Sequence, residues 1–423
     1  IRQERIKDKY KVAFNSGIAG NFEAKIRIRR AGLTPIESIS NKNEVLLKLA
    51  NKKGEKIDSV VIGPWGGYIA DEMALSESFD GKSYWVSDPF KFLTKALSLT
   101  KIPAPDVTTE NGLHITTSHI DGDGLVSGSD LPGSPLGGQV ILDKIIKRYD
   151  FPHTVSIIEG ETSKEGVYPK LSNQAESIAR RLFRTNNVEV ASHTFSHPFF
   201  WEAVGKTSFE KDLGYGTNLA VPNYPVSNLK REIWGSVDYI DSRLAPKDKK
   251  TKVFLWSGNT LPQAEAIALT VAKGLYNVNG GNTKVLKEDY SLSRVWPIGQ
   301  PFEAGYQIYA PVDNENVYTD LWHGPFFGYQ NVRDTFALLS QPRRLKPMSI
   351  YYHFYSGTKR EGVTALENVY DYVMAKPHNS MYLSQYAARA NSFYNLALGK
   401  DLQGHWHVAN AGALRTLRFD DQK

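Results

Sequence analysis

The sequence predicts an α/β protein: a (β/α) barrel, incomplete or distorted, preceded by a β-rich, sandwich-like module. Three observations lead there. Residues 1–105 carry strand patterns and turn signals, with little helical periodicity. From residue 113 onward, short apolar strands alternate with segments whose apolar residues recur at helical spacing, the pattern of parallel β/α architecture. No strand is followed by G-x-G-x-x-G or a Walker loop, so a nucleotide-binding sheet has no support and a barrel is preferred.

In the first region, "FEAKIRIRR" alternates, and "VLLKLANKKGEKIDSVVIGP" reads as two strands around an Asn-Lys-Lys-Gly turn. The prolines of "IPAPDVTTENG", Ile102 to Gly112, disfavour helix and suit a domain boundary. The strand "LHITTSHI" follows and ends at Asp121. "GGQVILDKIIKRY" sets Val140, Ile141 and Ile145 at helical spacing, "HTVSIIEG" is a strand, and "NQAESIARRLFR" places Ala175, Ile178 and Leu182 on one helical face. "VEVAS" is a short strand ending at His193. In "NLKREIWGSVDYIDSRL", Leu229, Ile233, Val237 and Ile240 form one stripe. "KVFLWSG" is a strand, "QAEAIALTVAKG" a helix closed by Gly274, and "LYNVNGG", "YQIYAPV" and "MSIYYHF" are the remaining strands. Residues 106–360 are assigned to the barrel. Residues 361–423 are set apart as a helical segment followed by the start of a β-module at "HWHVANAGALRTLRF".

Composition narrows the function. The chain of 423 residues is 41% hydrophobic and 23% charged, ordinary for a globular protein. Net charge is only +6 and basic runs are short, as in "KDKK", so no nucleic-acid surface is expected. There is no cysteine, which excludes disulfides and thiolate chemistry. No apolar run reaches transmembrane length. The chain begins at Ile1 without an apolar leader and is read as a segment of a longer protein.

In a barrel, the site lies at the C-terminal ends of the strands, and three such ends carry ligand-type residues. After "LHITTSHI" come Asp121 and Asp123 in "HIDGDG". As an EF-hand loop this fails, because positions five, six and twelve are Leu125, Val126 and Pro132. At i and i+2 of an extended chain the two carboxylates face one side. After "VEVAS" come His193 and His197, four apart on one side of a turn and able to grip one metal ion. There is no H-E-x-x-H pattern. After "MSIYY" comes His353. Each set has a bland alternative: a turn, a structural pair, a satisfied core histidine. Their coincidence at three strand ends favours a catalytic site with three ligands to a divalent metal, zinc first. His114, His119, His153, His405 and His407 are expected at packed, capping or surface positions, and His323 in "LWHGPFFGY" is a candidate lining residue of a sugar groove.

These residues resemble the polysaccharide deacetylase superfamily, relatives of the family 4 carbohydrate esterases. "HTFSHP" fits that family's H-[ST]-x-x-H-P motif at every fixed position. "HIDGDG" stands for T-F-D-D-G with the acids one residue further apart, and "IYYHF" stands for the late Leu-x-His strand. The R-x-P-Y motif is missing, and "LWSGNTLP" occupies a similar place in the order. The departures mark a divergent branch. The resemblance implies metal-dependent N-deacetylation of an acetylated amino-sugar exopolysaccharide of the Pel kind, rich in N-acetylgalactosamine and associated with biofilm. It implies export to the periplasm, and leaves polymer-export machinery open as a partner. It implies Asp123, His193 and His197 as metal ligands, Asp121 as base and His353 as acid. Asn259, or a backbone group near Gly258, is the candidate substitute for the arginine, and Trp256, Trp322 and Tyr351 are candidate sugar platforms. Two other classes compete. A glycoside hydrolase would need a second acid such as Glu159 or Glu303. A non-catalytic polysaccharide-binding protein would keep the aromatics and tolerate loss of the histidines.

Overall fold

The computed structural model describes residues 9–28, 33–99, 102–206 and 218–419. The chain forms two units. One comprises Ile1–Ala104, Glu288–Val295 and Arg418–Lys423; the other comprises Pro105–Lys287 and Trp296–Leu417.

The first unit holds a four-stranded antiparallel sheet of Tyr10–Asn15, Glu44–Asn51, Lys56–Gly63 and Gly66–Ile69 in sequential order. The Asn-Lys-Lys-Gly turn forms as expected. Asn51 Oδ1 accepts from the Lys53 and Glu55 amides at 3.0 Å each, and Gly54 takes a φ of +85° that glycine adopts at least cost. One face buries Leu46, Leu47 and Val60 with Ile18, Met73 and Val86. Helix Pro89–Ala96 starts on Asp88, whose Oδ1 accepts from the Phe90 and Lys91 amides. The expected strand in "FEAKIRIRR" does not form over residues 22–28, which are irregular, and Arg29 and Arg30 lie outside the described residues. Alternation alone makes no strand where no partner offers a ladder.

The second unit is built on a mixed ten-stranded sheet that curls without closing. Seven strands form a continuous parallel path, in the spatial order Met348–His353, Leu113–Asp121, His153–Ile157, Val188–Ser192, Val253–Leu255, Tyr276–Val278 and Gly305–Ile308, and His378–Ser380 also pairs parallel with Leu113–Asp121. Gly299–Phe302 adds an antiparallel edge. Among the described strands none joins Gly305–Ile308 to Met348–His353, so the sheet is a barrel with an open seam. The helices stand where the periodicity put them. Leu229 to Leu244 is helical for most of its length but is interrupted by π-turns at Arg231–Gly235 and Ile240–Leu244.

The central strand Leu113–Asp121 is buried for eight residues running, although six of them are His114, Thr116, Thr117, Ser118, His119 and Asp121. Buried polar groups need partners, and most of these have them. Thr117 Oγ1 donates to Ser349 Oγ, Ser118 bonds Tyr370, and His119 Nε2 bonds Asn279 Oδ1. The interior is thus polar toward the site. An apolar cluster completes it: Ile115, Ala191, Val253, Leu255, Val278 and Ile308 pack on Leu383, Tyr386 and Ala390 of helix Leu383–Asn395. Fully burying a leucine such as Leu383 contributes about 1.5–3 kcal/mol. The tail set apart at residue 361 is therefore part of this unit as far as Leu417, because its second helix supplies the apolar floor that the polar strands lack. In place of the expected C-terminal β-module, the described residues form a hairpin, Ala397–Lys400 with Trp406–Ala409, and a short strand, Leu417–Arg418. No helix among the described residues is long and apolar enough to cross a membrane.

Candidate functional site

Asp121, Asp123, His193, His197 and His353 line one cavity of about 560 Å³ at the C-terminal ends of the parallel strands. The curl of the sheet brings together residues that lie as much as 232 positions apart in sequence (His353 and Asp121 are paired in register).

His193 follows strand Val188–Ser192. Its Nδ1 lies 3.0 Å from the Leu255 carbonyl, which only accepts, so Nδ1 carries the hydrogen and Nε2 offers its lone pair. That Nε2 is 3.2 Å from Asp123 Oδ2, and His197 Nε2 is 3.0 Å from Asp123 Oδ1. The turn between the histidines is strained: Thr194 sits at φ +74° and His197 at φ +51°. Buried Glu232 holds it, accepting from the Phe195 and Ser196 amides at 3.0 and 2.8 Å and from Ser196 Oγ at 2.6 Å. The Thr194 hydroxyl accepts from the His197 amide.

Ligand atoms of these three residues lie within 4.8 Å of one another, so the triad could hold a metal ion. Two ligand atoms about 2.1 Å from a tetrahedral zinc stand roughly 3.4 Å apart, and the two contacts to Asp123 come close to that. Asp123 Oδ2 is buried and accepts no well-formed hydrogen bond in spite of its neighbour, which suits an atom awaiting a cation. Burial pushes the Asp123 carboxyl up, but the imidazoles of His197 and His193 outweigh it and hold it well below the usual range. The donor set fits a divalent ion. Behind it, burial and then the Asp123 charge push Glu161 up to about 8, so that side chain adds no second negative charge at neutral pH.

Asp121 is not among the ligands. Its Oδ2 accepts from Tyr351 Oη at 2.6 Å, and both oxygens accept from Asn279 Nδ2 at 3.1 and 3.2 Å. His193 Nδ1 and His353 Nε2 each stand 3.7 Å from it. Gly122 makes the spacing feasible: a Cβ there would meet the Ile158 nitrogen at 2.6 Å. The separated acids therefore still both reach the cavity.

His353 is anchored from behind. Its Nδ1 donates to Glu315 Oε2 at 3.0 Å, its amide donates to Glu315 Oε1 at 2.8 Å, and its ring stacks on Tyr355 at 4.7 Å. Burial alone would pull the imidazole down, but Glu315, then Asp123 and Asp121, overcome that and push it up to about 10.

Several expectations need correction. Asn259 lines the cavity, but its amide donates to Glu202, and the contact with Asp121 that would stand in for the missing arginine is made by Asn279. Trp256 is no sugar platform: its ring is fully buried against Trp201 and Phe254, with Nε1 donating to Asn277. Tyr351 is buried, stacked on His119 at 4.0 Å, and serves Asp121. His323 is exposed and does not line the cavity. Trp322 does line it, packed beside Tyr355 and Phe326. Glu159, a candidate second acid, is locked in a two-bond pair with Arg231, and Glu303 is exposed and outside this cavity. His114, His119 and His153 are buried, and His405 and His407 are exposed on Asp401. Asn279 and Glu315 were missed; both occur in polar runs just after strands, "NVNGG" and "VDNEN", which is the signal that could have found them.

Comparison with protein-family models and with curated proteins finds no match. Among solved structures, a 4-alpha-glucanotransferase from Thermococcus litoralis is similar over 65% of this chain and 39% of its own, at 13% identity and a TM-score of 0.39. The matched part spans well under half of that enzyme, and the likeness is too distant to bear on function.

Proposed function

We propose that the chain is a metal-dependent deacetylase that hydrolyses the acetamide of an N-acetylhexosamine polymer. The observation that carries this reading is the division of labour at one cavity: a ligand triad of Asp123, His193 and His197 beside a carboxylate, Asp121, and an imidazole, His353, that stand outside it. A divalent ion, zinc first for this donor set, supplies a lowered pKa for water and polarises the acetamide carbonyl when bound. Asp121, fixed by Tyr351 and Asn279, takes a proton from the attacking water at its carboxylate. His353, held protonated by Glu315, gives a proton from Nε2 to the departing amine nitrogen. The C–N bond breaks, and acetate and a free amino sugar leave.

The sequence resemblance adds the substrate class, an exported N-acetylgalactosamine-rich exopolysaccharide. Neither acid weighed for a glycoside hydrolase faces the cavity, which leaves the deacetylase reading ahead. Metal content and acetate release from acetylated hexosamine oligomers test it together. Asp123→Ala should lose both metal and turnover, while Asp121→Asn should keep the metal and lose turnover. Normal acetate release by Asp121→Asn would remove Asp121 as the base.

A further inference from the structure

The cavity holds one more carboxylate that the chemistry above does not use. Asp313 follows strand Gly305–Ile308, its amide donating to the Thr283 carbonyl at 3.1 Å. It is 8% exposed and lines the cavity with Asn314, Asn316 and Trp322. Its Oδ1 accepts from the Asn314 amide at 2.8 Å, and no side chain among the described residues donates to either oxygen. The nearby cation, Lys284, spends its ammonium on the Val317 carbonyl. A carboxylate that is largely buried, short of donors and facing a cavity is built to accept hydrogens from something that enters.

We propose that Asp313 is a specificity-determining residue that accepts hydroxyl hydrogens from a hexosamine ring held in this cavity. The inference rests on the deacetylase reading for the sugar's identity. A pyranose offers what this wall takes, hydroxyl donors at its rim for Asp313 and an apolar C–H face for the Trp322 ring. Asp313 touches neither the triad nor the leaving nitrogen in this scheme, so its contribution falls on sugar binding and not on the proton transfers. Burial pushes its carboxyl up to about 6, against the pull of the Asn314 amide and Lys284, which leaves it ionised and accepting at neutral pH.

The test uses the metal-loaded chain and its Asp313→Asn variant on two substrates: acetylated hexosamine pentamers and 4-nitrophenyl acetate, which has no hydroxyls. A site that binds a hydroxyl through a charged acceptor loses about 10–100-fold when the acceptor is blunted. That loss should appear as a raised KM for the pentamer, with kcat within a few-fold and aryl acetate hydrolysis unchanged. An unchanged pentamer KM, or an equal fall on both substrates, overturns the proposal. If the wild-type chain releases no acetate from any pentamer, the deacetylase reading fails on its own. Calorimetric binding of the pentamer then decides Asp313: weakened binding by the variant supports it and equal binding overturns it. New reducing ends that the variant fails to make would recast Asp313 as a hydrolytic acid and also overturn it.

Discussion

Replacing Glu315 with glutamine keeps the side chain's shape and removes its charge. Glu315 is fully buried and accepts from the His353 amide, His353 Nδ1 and Ser356 Oγ, the last at 2.8 Å. A glutamine oxygen in the place of Oε1 can retain the His353 amide and Ser356 Oγ, but the imidazolium loses its counter-charge. Glu315 is the largest support that raises His353, ahead of Asp123 and Asp121. A hydrogen bond to a charged group is worth about 1.5–3 kcal/mol, which is about 1–2 pH units. His353 works as an acid, so activity is present below its pKa and lost as pH rises through it. Lowering the pKa moves that loss to lower pH. Profiles of kcat/KM for acetate release between roughly pH 6 and 11 should therefore show the variant's alkaline limb shifted down by about 1–2 units. An alkaline limb at the wild-type position, with a wild-type rate, would refute the assignment of His353 as the acid.

Three further outcomes are expected. Asn279→Ala frees Asp121 from one of its two side-chain anchors and should cut kcat about 100-fold, with metal content unchanged by elemental analysis. Gly258→Ala places a Cβ 2.4 Å from Phe199 Cα at a φ of +58°, displacing the segment that follows His197; chelator competition should show metal affinity about tenfold weaker. Lys346 is buried, with its ammonium donating to the Pro297 carbonyl and to no other acceptor among the described residues, and burial pulls it down to about 7. Between that value and its unfolded pKa the unfolded chain holds a proton the folded chain lacks, so this residue makes stability rise with pH across that window. Lys346→Met should thus raise the melting temperature more at pH 6 than at pH 10 in calorimetric scans, and an equal shift at both would show the lysine to be no burden.

The parts of the site written in local sequence were legible. His193 and His197 are four residues apart on one turn, and Asp121 and Asp123 follow one strand, so spacing alone brings each pair together. Asn279 and Glu315 acquire their roles only through the curl of the sheet. Asn279 reaches Asp121 across 158 residues, and nothing in an asparagine after a strand announces that contact. Trp256 misled for the converse reason: an indole suits a sugar face and a core equally, and here Trp201 and Phe254 claim it. The alternation of strands and helices along the chain and the helical stripes followed from periodicity. The floor made by Leu383–Asn395 did not, because a helix's own pattern does not say which sheet face it will cover.

The open seam has a consequence for how this protein tolerates change. Strand Met348–His353 is an edge, and a bare edge invites pairing with another chain. Here Tyr329 Oη accepts from the Tyr351 amide and Glu315 from the His353 amide, so two side chains do what a neighbouring strand would have done. Glu315 is thereby both insulation for the sheet and counter-charge for His353. Drift at this position is doubly penalised: a substitution without an acceptor would uncover a sticky backbone at the same moment that it blunts the acid, and loss of solubility would accompany loss of rate.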